Sequence, residues 1–219
     1  MSMLQQVQRI QPKSATQIPE PPIARFLFAD SRMAWFWLIV RVYAGYEWFN
    51  AGLGKLTGHP LIGEAEKQWV FSGHDGAAIK GFVIGALSKS SGANPSVQGW
   101  YAWFLTHFVQ PNPALWAYLI TFGELLVGVG LIVGALTGIA AFFGLVMNLN
   151  YLLAGTVSIN PILGGVSILL VLAWRIGGYY GVDRYLLPLL GTPWTGSLTE
   201  QPETKSVEQP RKPLAGVAH

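Results

Sequence analysis

Four long apolar runs dominate the pattern of this chain, and each approaches the ~20 residues that cross the hydrocarbon core of a bilayer. They cover about 33–54, 114–136, 138–157 and 160–178. Short links join the last three runs, and Pro161 suits the first turn of a helix. Links this short make neighbouring helices antiparallel. The pattern therefore predicts an all-α fold, an integral membrane four-helix bundle.

The segment 56–113, between the first two runs, is too polar to span a membrane. Within it, 100–108 (WYAWFLTHF) brings aromatic side chains onto one helical stripe, which is typical of a helix in the membrane interface or packed over a bundle. We expect an outer loop with one or two interfacial helices. The membrane domain is then 33–190. It is flanked by polar tails, the partly disordered 1–32 and the disordered 191–219, which is rich in Pro, Thr, Glu and Gln.

The distribution of basic residues predicts the orientation. Lys and Arg concentrate in the N-terminal tail and after the fourth run, whereas the loop 56–113 is nearly neutral. The positive-inside rule then places both termini in the cytoplasm and the loop on the outer face. The N-terminal tail lacks the apolar segment of a cleavable signal peptide, so we expect the first span to direct insertion. The expected location is a prokaryotic plasma (inner) membrane, crossed several times.

Composition agrees with a membrane protein and narrows the chemistry. The chain is 51% hydrophobic and 11% charged, whereas soluble domains are about a quarter charged. With no cysteine, it can form neither disulfides nor Cys-ligated iron–sulfur clusters. The four histidines lie outside the predicted spans, from which a haem in the bundle would take its ligands, and no metal-ligand or nucleotide-binding motif is present. We expect no haem, iron–sulfur cluster, flavin, metal site or nucleic-acid partner.

Polar residues interrupt the first apolar run, in the stretch RVYAGYEWFNAGLGKL (41–56). Steps of four and three residues place two of the charged residues on one helical stripe with two glycines and a tryptophan: Arg41, Gly45, Trp48, Gly52 and Lys55. The two glycines allow another helix to approach closely, so the stripe is predicted to face the bundle. Lys55, near the outer end, has the alternative of extending its ammonium to the membrane surface.

Further polar residues fall into two predicted layers when depth is counted at ~1.5 Å per residue. The outer layer holds carboxylates and amides: Glu47, Glu124, Asn148 and Asn150. Asn50 lies with Glu47 on a face of the first span next to the stripe. The inner layer holds Arg41 and Arg175. Pairing with a carboxylate is the least costly way to keep an arginine inside a bundle, and Arg41 with Glu124 is the predicted pair. Such pairs either fix only the helix register or line a polar, proton-capable cavity for a small anion or a quinone head group.

Taken in order, these motifs resemble the DoxX/DoxD family of small four-span membrane proteins. The matching positions are the stripe of the first run with Leu56, Glu124 of GELLVGVGLIVGALTG, and an exit after the fourth run similar to G-x-D-R, with Gly181, Asp183 and Arg184. The resemblance covers about residues 33–190.

This resemblance implies the membrane subunit of a thiosulfate:quinone oxidoreductase, which oxidises thiosulfate to tetrathionate and reduces a membrane quinone. The carboxylates that would move protons are Glu47 and Glu124, and the groups that would bind the anion or the quinone are Arg41, Lys55, Asn50, Asn148 and Arg175. The implied partners are the lipid bilayer and a separate small DoxA-like subunit or another redox protein. A homo-oligomer stays open.

Two other functions compete with this enzymatic interpretation. In a membrane scaffold that recruits redox or oxidative-stress partners, the buried charges would be only structural. A small-solute transporter is the other alternative. Inverted repeats would favour transport, and the two halves of the chain show no convincing repeat.

Overall fold

The computed structural model describes residues 20–191, and this range folds entirely into helices and connecting turns. The elements in chain order are α1 Pro22–Ala29, α2 Ala34–Thr57, α3 Ala77–Leu87, α4 Gly99–Phe104, α5 Pro113–Val133, α6 Thr137–Leu153, α7 Asn160–Leu172, α8 Trp174–Gly177 and α9 Asp183–Leu189. A 3-10 turn, Ser31–Met33, precedes α2, and a π-helix, Leu105–Val109, continues α4. The all-α prediction is confirmed for this range.

The four apolar runs become α2, α5, α6 and α7, with α8 at the end of the last run. The most extensive contacts join α2 to α5 and α6 to α7. Pro161 lies in the first turn of α7, where its missing N–H costs no helical hydrogen bond. The predicted fourth run is continuous to 178, but the helix ends at Leu172 and a new short helix begins at Trp174.

Helix α1 lies within the segment predicted to be a polar tail. The indole Nε1 of Trp37 donates to the Leu27 carbonyl at 2.7 Å, and the rings of Phe28 and Trp37 lie 5.7 Å apart. These contacts fasten α1 to the start of α2, so the folded region begins before residue 33. The rest of the predicted tails, 1–19 and 192–219, lies outside the described residues.

The segment between α2 and α5 packs against the ends of α5 and α6. Ile79 and Val83 of α3 and Leu105 of the π-helix are buried together in one hydrophobic cluster. Asp75, before α3, accepts a hydrogen bond of 2.6 Å from the Tyr118 hydroxyl, and this bond lowers the pKa of the carboxyl below its ordinary value. The loop therefore covers one end of the bundle, as one of the two sequence interpretations of 100–108 proposed.

Large apolar side chains cover the outside of the bundle in addition to those that fill its core, unlike in a water-soluble domain. Large apolar side chains are exposed on all four long helices; among them are Trp35, Ile39, Leu115, Leu119, Leu126, Phe142, Phe143, Leu149, Ile168 and Leu172. The interior holds buried polar and charged groups, namely Arg41, Lys55, Thr121, Glu124, Thr137, Asn148, Asn160, Ser167 and Asp183. An apolar surface this extensive needs an apolar environment or a partner to cover it.

By length and composition, α5 is the one helix in the described range that is long and apolar enough to cross a bilayer. Helices α6 and α7 are apolar but shorter. Helix α2 is longer than α5, but its interior carries Arg41, Glu47 and Lys55.

Candidate functional site

A buried ion pair joins α2 to α5. Lys55 Nζ lies 2.7 Å from Glu124 Oε2, and the Glu124 side chain is 1% exposed. The Tyr151 hydroxyl of α6 donates to the other carboxylate oxygen, Oε1, at 2.6 Å. Three helices thus bring a cation and a phenol onto the two oxygens of one buried carboxylate, and we call Lys55, Glu124 and Tyr151 the triad.

Glycines bring α2 and α5 close enough for the ion pair to form. A Cβ built on Gly52 would lie 2.8 Å from the Leu125 side chain and 2.9 Å from its backbone nitrogen. A Cβ on Gly128 would lie 2.5 Å from the backbone nitrogen of Phe49. Small residues at these positions let the two backbones touch, as they do in membrane helix pairs. The predicted orientation of the Gly45–Gly52 stripe toward another helix is correct.

This contact makes a stability prediction. We expect Gly52→Leu to lower the melting temperature of the detergent-solubilised protein, because the new side chain must push α5 away, an overpacking cost of about 1–3 kcal/mol. Gly165→Leu is the matched control, since Gly165 lies in α7 and a Cβ there meets no atom within 4 Å. A melting temperature that is the same for Gly52→Leu and for the control would contradict the close contact.

The loop after α2 covers the cationic end of the triad. The Trp69 backbone N–H donates to the Lys55 carbonyl at 2.8 Å, and the ammonium of Lys55 lies 5.1 Å from the centre of the Trp69 ring. The Lys55 side chain remains 11% exposed, whereas Glu124 lies deeper. Lys55 therefore does not extend freely to the surface, which was its alternative in the sequence analysis.

An apolar cavity of about 180 Å³ lies next to the triad. Its wall comes from the loop helices and from α5 and α6, with aromatic and apolar side chains that include Phe82, Phe104, Trp116, Leu119, Met147 and Tyr151. Leu119 is 55% exposed, so the cavity reaches the outer apolar surface of the bundle. Tyr151 both lines the cavity and donates to Glu124, which connects an apolar binding space to a buried acid.

Tyr101 of α4 closes one edge of this cavity. Its hydroxyl donates to Asn150, to the backbone carbonyl at 2.9 Å and to Oδ1 at 3.1 Å. Burial raises the pKa of Tyr101 to about 12, so the hydroxyl keeps its proton at neutral pH. The Asn150 amide nitrogen donates to the Val146 carbonyl. The two oxygens of Asn150 thus hold α4 on α6, while its amide nitrogen bonds within α6.

Another set of buried polar atoms lies one helical turn inward from Tyr151. Asn148 is fully buried, and neither its side-chain oxygen nor its nitrogen has a hydrogen-bond partner within residues 20–191. The same holds for Trp48 Nε1 and Ser167 Oγ. Unpartnered buried amides are costly, so this level of the bundle is suited to hold polar molecules.

The predicted pairing of Arg41 with Glu124 is wrong, because Glu124 pairs with Lys55. Arg41 lies deeper along α2, is 1% exposed, and donates from Nη2 to the Tyr180 carbonyl at 3.3 Å. Asp183 is its electrostatic neighbour. The carboxylate of Asp183 accepts from the backbone N–H groups of Leu136 and Thr137, at 2.5 and 2.8 Å, and so caps the start of α6.

The remaining predicted site residues lie away from the triad. Asn50 exchanges two hydrogen bonds with the Ile62 backbone, at 3.0 and 3.1 Å, and so holds the loop. Glu47 is half-buried on a neighbouring face of α2. Arg175 does not lie in an inner guanidinium layer with Arg41. Its side chain is 48% exposed and lies 3.6 Å from Glu20.

Sequence reasoning missed Tyr151 and Trp69. A helical wheel carries a signal for Tyr151, because it follows Asn148 by three residues on the inward face of α6. Trp69 lies in an irregular loop without periodicity, so only the fold brings it to Lys55.

Comparison with known proteins gives one match. A family model described as DoxX matches residues 36–156, which is more than half of the chain and includes every member of the triad. Neither the curated proteins nor the solved structures contain a match.

Proposed function

Because this chain belongs to the DoxX family, a membrane-associated family, we propose that it is the membrane subunit of a quinone-reducing oxidoreductase of the thiosulfate:quinone type. The observation that carries the proposal is the contact between the triad and the apolar cavity, through Tyr151. A quinone needs an apolar space for its ring and hydrogen-bonding groups for its oxygens. Both meet at the Tyr151 hydroxyl.

The setting of the proposal is a four-span bundle in the bilayer. Exposed apolar side chains surround α2, α5, α6 and α7, while the charges lie inside. Lipid tails cover such a surface, and buried charges in a bundle pair with each other as Lys55 and Glu124 do. Helices α6 and α7 are short for a span, and polar residues at their ends and local thinning of the bilayer accommodate such a mismatch.

The proposed topology can be tested on this cysteine-free chain. Single substitutions Ser14→Cys, Ser91→Cys and Ser206→Cys place a thiol in each tail and in the outer loop. With both termini cytoplasmic, a membrane-impermeant thiol reagent added to whole cells should label only the Ser91 variant. Labelling of the two tail variants with protection of the loop variant would reverse the orientation.

In the proposed reaction, the cavity binds the quinone and the triad supplies charge and protons. Two thiosulfate anions join through a new S–S bond to give tetrathionate and release two electrons. One quinone accepts these electrons and two protons to give a quinol. Lys55 supplies the positive charge that stabilises negative charge on the quinone oxygen, and Glu124 is the buried carboxylate next to it. Tyr151 lines the cavity and donates its hydroxyl proton to Glu124, so it links the quinone space to the carboxylate.

The direct test is thiosulfate-dependent reduction of a soluble quinone analogue by the protein purified in mild detergent, together with any small subunit that co-purifies. Lys55→Met should reduce the rate at least about tenfold, because it removes the positive charge that pairs with Glu124. Lys80→Met is the matched control, since Lys80 is exposed on α3. Melting profiles of both variants show whether they are folded.

Two outcomes would contradict the proposal. Equal rates for Lys55→Met and Lys80→Met would remove the triad from the reaction. A folded wild-type protein that never reduces quinone, with its partner subunit present, would favour a membrane scaffold in which Lys55–Glu124 only joins α2 to α5.

A further inference from the structure

We propose that the triad exchanges protons with one side of the protein only, the face covered by the loop 58–70, and that Glu66 is the group through which these protons pass. The use of the protons rests on the proposed quinone reduction. The access route rests on the geometry of the bundle alone. The two parts can therefore fail separately.

The loop face reaches the triad through Lys55 and Glu66. The carboxylate of Glu66 lies beside the last turn of α2, with Oε2 3.5 Å from the position of a Cβ on Gly54, the residue next to Lys55. Glu66 is exposed, and its backbone N–H is fixed to the Gly58 carbonyl at 2.9 Å. It is also an electrostatic neighbour of Glu124. The exposed carboxylate of Glu66 thus lies at the end of α2 that carries Lys55, and it acts electrostatically on the buried Glu124, the partner of Lys55.

The opposite side of the triad is closed by an apolar layer. A Cβ on Gly144 of α6 would lie 3.1 Å from Trp48 Nε1, and this contact fixes the level of the unpartnered polar atoms of Trp48 and Asn148. Beyond that level four apolar residues are completely buried, one from each helix of the bundle: Ala44, Leu131, Ala141 and Leu170. Arg41, the next fully buried charge along α2, lies seven residues from Trp48, a distance of roughly 10.5 Å along the helix axis. This is too far for a direct proton transfer.

The protons that the proposed reaction consumes then come from one side of the protein, the loop face. Each quinone reduced takes two electrons from two thiosulfate anions and two protons. Glu124 passes protons to the quinone oxygen through the Tyr151 hydroxyl and is reprotonated through Glu66 from the loop face. Reduction should therefore make the loop compartment alkaline and take no protons from the other side.

Chemical modification of lysines tests the access route and does not require quinone reduction by the protein. Wild-type protein in sealed proteoliposomes is treated with a membrane-impermeant acetylating reagent, applied outside or trapped inside, and acetylation is located by peptide mass spectrometry. Lys55 should be acetylated from the same side as Lys67, Lys80 and Lys89, at least about tenfold more slowly because only 11% of its side chain is exposed. In Glu124→Gln, Lys55 loses its partner and should react faster from that side.

Three results would overturn the access route. These are acetylation of Lys55 from the side opposite to Lys67, equal acetylation from both sides, and no acetylation of Lys55 after Lys67 has reacted completely. Acetylation of Lys67, Lys80 and Lys89 marks the side on which the loop lies. The test therefore does not depend on which side is cytoplasmic.

The role of Glu66 is tested by Glu66→Gln with Glu64→Gln as the matched control, because both carboxylates are exposed on the same loop. We expect Glu66→Gln to slow quinone reduction about tenfold at alkaline pH, where protons are scarce, and less at acidic pH. Glu64→Gln should keep the wild-type pH profile. Identical profiles for the two variants would remove Glu66 from the route. Absence of quinone reduction in the wild type would refute the proposed function and the role of Glu66 in it, while the lysine experiment would still decide the access route.

Discussion

Lys55→Met and Glu124→Gln should each lower the free energy of unfolding by about 3 kcal/mol, because each leaves a buried charge without its partner. Glu124 without Lys55 keeps only the Tyr151 hydroxyl, and Lys55 without Glu124 keeps only the Trp69 ring and a carbonyl. The double variant removes both charges and should recover a large part of the loss. The wild type, the two single variants and the double variant form a double-mutant cycle. Their free energies of unfolding, measured in mixed micelles, give the coupling energy between Lys55 and Glu124.

A second double-mutant cycle, of Arg41 with Glu124, is the control. The structure separates Arg41 from Glu124, so Arg41→Met and Glu124→Gln should show additive effects within about 0.5 kcal/mol. Additivity in the Lys55 cycle, or strong coupling in the Arg41 cycle, would show that the ion pair has been assigned to the wrong residues.

Gly134→Ala should destabilise this bundle by about 3 kcal/mol, the sum of a backbone cost and an overpacking cost. Gly134 ends α5 in the left-handed region with φ +69°, where an alanine costs about 1–2 kcal/mol. A Cβ there would also fall on Nη1 of the buried Arg41 guanidinium, which adds an overpacking cost of about 1–3 kcal/mol. Melting temperatures of the purified variants measure the loss.

Arg41→Met separates the two causes. In an Arg41→Met background the added methyl group no longer meets the guanidinium, so only the backbone cost of Gly134→Ala should remain. A loss that is the same in both backgrounds would mean that Arg41 does not lie against Gly134. Gly85→Ala serves as the control, because Gly85 lies within α3 and a Cβ there meets no atom within 4 Å.

Periodicity predicted most of the helical architecture. The four apolar runs correspond to α2, α5, α6 and the pair α7–α8 within a few residues, since a long apolar run has few alternatives to a helix. The stripe of Gly45 and Gly52 also predicted which face of α2 meets another helix. The break at Ala173 was not predicted, because no proline or polar residue marks it in the sequence.

The partner of Glu124 could not be predicted from depth alone. Counting residues from the membrane surface placed Arg41 within reach of Glu124 and left open whether Lys55 faces the bundle or extends its ammonium to the membrane surface. The loop changes this result, because Trp69 folds over Lys55 and encloses it. Depth counting assigns levels to residues on straight helices but carries no information about what an irregular loop covers.

Because Asp183 is synthesised after the helix start that it caps, this helix start lacks its cap during part of synthesis. The carboxylate of Asp183 caps the N–H groups of Leu136 and Thr137, which leave the ribosome 47 and 46 residues earlier. The carbonyl of Tyr180, which accepts from Arg41, arrives equally late. Until the segment 180–183 emerges, α2, α5 and α6 carry a buried guanidinium and a helix start without these partners. A chain truncated before Asp183 therefore leaves the ribosome with its first three long helices complete and their ends unsatisfied, a state that membrane proteases can recognise.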